Sequence, residues 1–176
     1  MSYDFSNKIA LITGSSRGIG KTTALHFARM GADIVVNYFR KREAAEETAR
    51  EIEALGRKAL VVKADVGDPD DINRMFAEVE ASFGALDFLV NNAASGYIRP
   101  VMEQKVKGWD WTMNINARSA LFTTQKAVPL MRKRGGGAIV NLSSIGAART
   151  LPDYVVIGAS KGALEAVTRY CAVELS

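Results

Sequence analysis

Five short apolar runs, each followed by a stretch of helical periodicity, leave this chain little choice of architecture. The runs cover residues 8–13, 32–38, 59–63, 86–90 and 138–142, and their Val, Ile, Leu and Ala content is that of strands buried on both faces. Helical patterns cover about 18–30, 42–55, 69–83, 109–132 and 154–175. Punctuation agrees: Gly56 stands just past the second helix, Asp68-Pro69 supplies an N-cap and a first-turn proline, and Gly84 closes the third. Pro129 is the one interruption expected in the long helix, and Gly135-Gly136-Gly137 stops it. Strands joined through helices require right-handed crossovers, so the expected fold is α/β, a doubly wound parallel sheet with helices on both faces, Rossmann-like.

No repeat, low-complexity tract or linker divides the 176 residues, so a single domain over 1–176 is expected. A sheet in the order 3-2-1-4-5-6 needs a sixth strand, yet the sequence stops at Ser176 after five strands and the following helix. The expectation is a domain incomplete at its C-terminus.

Composition removes several classes of function. No apolar run approaches the ~20 residues that cross a bilayer, and Met1-Ser2-Tyr3-Asp4 lacks the zones of a signal peptide, so a cytoplasmic rather than a membrane or secreted protein is expected. One cysteine, Cys171, forms no internal disulfide or cysteine cluster, and one histidine, His26, leaves little zinc chemistry; no metal site is expected. His26 reads as a surface or packing residue and Cys171 as a small buried hydrophobe. The net charge of +4 suits an anionic ligand or an acidic carrier protein, and Arg132-Lys133-Arg134 either attracts such a partner or complements a helix C-terminus. Elsewhere basic residues interleave with acidic ones, as in Lys41-Arg42-Glu43, so nucleic acid is not an expected partner.

The segment Thr13-Gly14-Ser15-Ser16-Arg17-Gly18-Ile19-Gly20 lies between the first strand and first helix, where backbone N–H groups and a helix N-terminus can meet a pyrophosphate. Gly14 permits the tight turn; Gly18 and Gly20 permit close backbone approach and helix–sheet packing. A dinucleotide site selecting NAD places a carboxylate at the end of the second strand. Asn37-Tyr38-Phe39-Arg40-Lys41-Arg42 stands there instead, and with Arg17 it provides cations for a 2′-phosphate, so the expected cofactor is NADPH. The competing reading makes Arg40 to Arg42 a solvated helix start.

The T-G-x-x-x-G-x-G spacing, with Asn91-Asn92-Ala93-Ala94 ending the fourth strand, resembles the short-chain dehydrogenase/reductase family. The resemblance implies that Asn92 and Ala93 line the nicotinamide-side ribose, that Asp65 and Val66 contact the adenine, and that Asn116 shapes an active-site water network. Asp65 could equally end a strand, and Asn116 could bond a neighbouring carbonyl. Most of the family carries Tyr-x-x-x-Lys, with lysine on the ribose and the phenol on the substrate carbonyl. Lys161 fits the lysine, whose charge would favour the ionised phenol, but Ile157 stands four before it and Tyr154 seven before. Seven helical residues turn through about 700° and advance ~10.5 Å, against ~6 Å for four, so the phenol keeps the face but shifts nearly a turn.

A shifted donor suits conjugate reduction. There hydride attacks the β-carbon of a 2-enoyl thioester, while negative charge develops at the more distant thioester oxygen. Tyr154-x6-Lys161, with Ser143 to Tyr154, Arg99-Pro100-Val101-Met102-Glu103 and Trp109 to Asn116, is similar to the bacterial NADPH-dependent enoyl-acyl-carrier-protein reductases of type III. That resemblance implies reduction of the trans-2 double bond of enoyl thioesters, on acyl carrier protein or coenzyme A, in fatty acid synthesis. It also implies homodimers or homotetramers paired through residues 117–131 and 163–173. The alternatives are a carbonyl-reducing member acting on a 3-oxoacyl thioester or other ketone, and a catalytically inactive nucleotide-binding fragment. Ser144 is left three roles: bonding the thioester, bonding Tyr154, or capping the strand. Trp109 and Trp111 either wall the acyl pocket or pack.

Overall fold

The computed structural model describes residues 3–176; Met1 and Ser2, part of the N-terminal segment weighed above as a leader, lie outside them. The elements are β1 (Ile9–Ile12), α1 (Gly18–Arg29), β2 (Asp33–Tyr38), α2 (Arg42–Ala54), β3 (Ala59–Lys63), α3 (Pro69–Phe83), β4 (Phe88–Asn91), α4 (Val106–Met113), α5 (Ser119–Arg132), β5 (Ala138–Asn141) and α6 (Val155–Glu174). All pairings are parallel in the order β3-β2-β1-β4-β5, with Leu11 opposite both Val35 and Leu89. The expected doubly wound sheet is therefore present, each strand displaced by at most two residues from its expected bounds.

Alternate strand residues feed two apolar layers. Leu11, Val35 and Leu89 pack with Ile72, Met75 and Val79 of α3 and with Ala127 and Leu130 of α5. Ala10, Ile12, Ile34 and Val36 pack instead with Ala24 and Ala28 of α1 and Ile52 of α2. Burial on both faces explains why these strands read as continuous apolar runs. β5 departs from that reading: it forms an edge of the described sheet, and Val140 is half exposed.

Local chemistry ends the helices where expected. The Asp68 side chain accepts the Asp70 N–H at 2.9 Å with Pro69 in the first turn, and Gly84 (φ 73°) and Gly56 (φ 76°) take the left-handed conformation beyond their helices. The long helix differs from expectation. It begins at Val106, passes through Pro129, and is interrupted by a π turn over Asn114–Arg118. Such single π turns often serve functional positions.

One buried acid pins the start of β1. Asp87, almost fully buried, accepts from Lys8 Nζ (2.9 Å), the Ile9 N–H (2.9 Å) and Arg134 Nε (3.3 Å). Lys133 similarly bonds Glu80, so two members of Arg132-Lys133-Arg134 are engaged within the chain rather than displayed for a partner. In Asp87→Ala the two cations can return to water, but the buried Ile9 N–H loses its acceptor. The expected cost is about 2–3 kcal/mol, read as a lowered urea midpoint at unchanged slope. A change under ~0.5 kcal/mol would show that water replaces the carboxylate.

Candidate active site

The order of the sheet reverses direction at β1, whose neighbours are β2 on one side and β4 on the other. In such sheets ligands bind outside the carboxyl ends of the strands at this switch point. The turn after β1 and the segment after β4 meet there. Thr13 Oγ1 accepts the N–H groups of Asn92 and Ala93, both at 3.0 Å, and Asn92 Nδ2 donates to Thr13 O at 2.8 Å. The Asn92 amide thus braces the glycine turn, while the residue also lines the cavity beside it.

Asn37 is the brace that sequence reasoning missed. Buried at the end of β2, it accepts the Gly14 N–H (3.0 Å) through Oδ1, donates through Nδ2 to Ala64 O (3.2 Å), and gives its own N–H to Ser15 Oγ (3.1 Å). Ser15 Oγ in turn donates to Ile12 O at 2.7 Å. A polar residue closing a buried strand was the available signal. The residues that close β2, Asn37 and Tyr38, include no carboxylate.

The turn is built for an anion. Gly14 and Gly18 have φ of 64° and 57°, the Arg17 N-cap makes no side-chain bond to the N–H groups of α1, and the first turn of α1 holds no acid. A cavity of about 610 Å³ opens beside it. Gly14, Ser16, Arg17, Gly18, Ile19, Gly20, Tyr38, Arg40, Asp65, Val66, Asn92 and Ala93 all line this space, whereas Lys161, expected on the ribose, and Tyr154 lie outside its lining. Among the described residues Arg17, Arg40 and Lys41 have no carboxylate partner, whereas Arg42 pairs with Glu46 at 2.7 Å. Arg42, paired within α2, and Lys41, its exposed N-cap, fit the reading of a helix start, while Arg40 lies before the helix. Asp65 accepts the Gly67 N–H at 2.8 Å, which also fixes the strand end.

The second group lies after β5 and on α6. Tyr154 is the N-cap residue of α6, and its Oη lies 3.3 Å from Ser144 Oγ. Ser144 also accepts the Gly146 N–H at 3.2 Å, so it both caps a short turn and touches the phenol. Lys161 is almost fully buried, and its Nζ donates to Leu142 O at 2.6 Å. Burial pushes its ammonium pKa below the ordinary lysine value. No direct hydrogen bond joins Lys161 to Tyr154 among the described residues.

Asn116, placed in the π turn, exchanges two 2.8 Å bonds with the backbone of Ser95 and donates to Ser160 Oγ at 3.0 Å. It ties the segment after β4 to α6, which is the neighbouring-carbonyl reading extended to a side chain. A second cavity of about 610 Å³, lined by Tyr154, Gly146, Leu151 and Val101, opens beside the phenol.

One expectation is narrowed and one is corrected. Trp111 lines the first cavity, donating its indole N–H to Ser95 Oγ at 2.8 Å, and does not line the space beside Tyr154. Cys171 is only partly buried, because α6 runs along the edge strand rather than under a closed layer.

A glycine turn feeding an uncapped helix N-terminus at the switch point of a parallel sheet defines a dinucleotide-binding protein. The chain belongs to the short-chain dehydrogenase/reductase family: the family profile described as Enoyl-(Acyl carrier protein) reductase matches residues 14–176. It is 39% identical over 169 residues to 1-cyclohexenylcarbonyl-CoA reductase of Streptomyces collinus, covering 96% of this chain and 60% of that protein. It is 38% identical to the 3-oxoacyl-acyl-carrier-protein reductase FabG of Staphylococcus aureus, covering 96% of this chain and 69% of the relative. Among solved structures, a 7α-hydroxysteroid dehydrogenase complexed with NADH and 7-oxo glycochenodeoxycholic acid superposes with a TM-score of 0.94 at 29% identity, over 99% of this chain and 68% of that one. The chain thus spans 60% and 69% of the length of these two curated relatives. Among the described residues no helix is long and apolar enough to cross a membrane.

Proposed function

We propose that the protein is a cytoplasmic NADPH-dependent reductase of acyl thioesters, carried by acyl carrier protein or coenzyme A, and that the bond reduced is the trans-2 double bond. The observation that carries the reading is local. Isoleucine occupies the position one turn before Lys161, and the phenol seven residues before it, Tyr154, caps the start of α6 and packs over residues 144–146. The description of the matching family profile supports the same chemistry.

When bound, the reduced nicotinamide supplies the hydride. The α1 N-terminus and the glycine turn would hold the pyrophosphate, Arg17 and Arg40 a 2′-phosphate, and Lys161 the ribose hydroxyls. Tyr154 would donate its O–H to the thioester oxygen as negative charge collects there, with Ser144 orienting the phenol. Asn116 would keep the segment after β4 in register with α6. Pairing of two copies through α5 and α6 belongs to the same reading, since Leu121, Tyr170 and Val173 stand exposed on these helices.

The second reading is reduction of a 3-oxoacyl thioester or another ketone. The names of the Staphylococcus aureus relative and the steroid dehydrogenase support it, and so does the Ser144–Tyr154 contact, which suits a phenol donating to a carbonyl. On relatives alone it stands at least as well as the first. Loss of NADPH absorbance with crotonyl thioester against acetoacetyl thioester separates the two. The expected outcome is consumption at least about tenfold faster with the crotonyl substrate. The opposite preference would return the protein to the ketone reducers, and turnover of neither substrate with tight NADPH binding would mark a nucleotide-binding protein without this activity.

A further inference from the structure

We propose that Trp111 is a specificity-determining positioning residue, reaching from α4 to hold the Arg40 guanidinium where a 2′-phosphate on the dinucleotide would sit. This rests on the NADPH reading above. Trp111 and Arg40 come from opposite rims of one cavity, α4 on one side and the loop after β2 on the other. The Arg40 guanidinium lies 5.2 Å from the Phe39 ring centroid and 6.0 Å from that of Trp111, while the two rings stand 6.4 Å apart. The cation is thus held against two aromatic faces.

The indole is itself anchored. Its N–H donates to Ser95 Oγ, and the Ser95 backbone is held by Asn116. A chain of contacts therefore runs from α6, through Asn116, Ser95 and Trp111, to Arg40. Without such contacts an exposed arginine on a loop samples many rotamers, and a ligand that fixes it must offset the lost entropy. Stacking restricts those rotamers yet leaves the in-plane N–H groups free to donate. Arg40 has no carboxylate partner to compete for them, unlike Arg42 two residues on. An ordered, unpaired guanidinium suits a dianionic phosphate on a ribose and gains little from a bare hydroxyl.

The test uses the fact that the chain has two tryptophans. In a Trp109→Phe protein, whose altered side chain does not line the cavity, Trp111 becomes the single indole reporter. Its emission is expected to respond to 2′,5′-ADP at about tenfold lower concentration than to 5′-ADP. Calorimetry on Trp111→Leu is then expected to give that preference reduced to about twofold or less, with 5′-ADP affinity unchanged, and Trp111→Phe is expected to restore most of it. Arg40→Gln sets the floor. If the parent protein binds both nucleotides equally, the NADPH reading fails. If it discriminates and Trp111→Leu discriminates as well, or weakens both nucleotides alike, the NADPH reading stands and the role of Trp111 is overturned.

Discussion

Tyr154→Phe is expected to lower turnover by about 10²–10⁴-fold while leaving NADPH binding and the fold nearly unchanged. The hydroxyl removed is the hydrogen-bond donor proposed for the thioester oxygen; it lies beside the second cavity, and its partner in the protein is Ser144 Oγ at 3.3 Å. Ser144 keeps the Gly146 N–H as a partner, so the substitution leaves no orphaned hydroxyl, and the stability change is expected within about 1 kcal/mol. The ring stays against Gly146, because only its far atom is lost. Single-turnover rates with saturating NADPH, beside a nucleotide titration of the same variant, separate chemistry from binding. Activity above half of the parent's would remove Tyr154 from the reaction. Loss of NADPH affinity in step with activity would assign it to binding instead.

Much of this arrangement was legible in the residues because it depends on local chemistry. Apolar runs of the right length, Asp68-Pro69 at a helix start and Gly84 past its end specify elements whatever surrounds them. The glycine turn was readable for the same reason: the spacing of Gly14, Gly18 and Gly20 encodes backbone conformations that few other residues adopt. Tyr154 and Lys161 are paired through the family resemblance, with helix geometry giving only their spacing, and the structure places one at the N-cap and the other buried two turns on.

What escaped depends on partners far apart in sequence. Asn37 joins the segments after β1 and β3 to β2 through bonds to Gly14, Ser15 and Ala64; its polarity at the close of an apolar strand hints at a role without naming these partners. The π turn at Asn114–Arg118 escaped because one residue added to a helical turn leaves the apolar periodicity almost intact. The choice between pocket wall and packing is open for Trp111 in the sequence, because its direction follows from how α4 lies across the cavity. Arg134, expected to attract an acidic partner or complement a helix C-terminus, binds Asp87, 47 residues away.

The glycine turn gives the second large effect, and two glycines show what decides its sign. At Gly56 an added Cβ meets nothing within 4 Å, so Gly56→Ala pays only for the left-handed φ of 76°, roughly 1 kcal/mol, and leaves the cofactor site untouched. Gly20 sits inside α1, where alanine by itself favours the helix by about 1 kcal/mol. Its Cβ, however, would fall 2.5 Å from Asn92 Nδ2, 2.6 Å from Gly14 O and 2.9 Å from Ser15 Cα. Two of these atoms are backbone, and the third is an amide held on Thr13 O, so none can retreat without moving the turn. Overpacking of this kind costs about 1–3 kcal/mol, which outweighs the helix propensity gained. The displaced turn also carries the N–H groups that would meet the pyrophosphate, so Gly20→Ala is expected to weaken NADPH binding at least about 100-fold with a modest loss of stability. Nucleotide titration and thermal melting on Gly20→Ala and Gly56→Ala together check this. NADPH affinity within threefold of the parent's in Gly20→Ala would mean that the pyrophosphate does not lie on this turn.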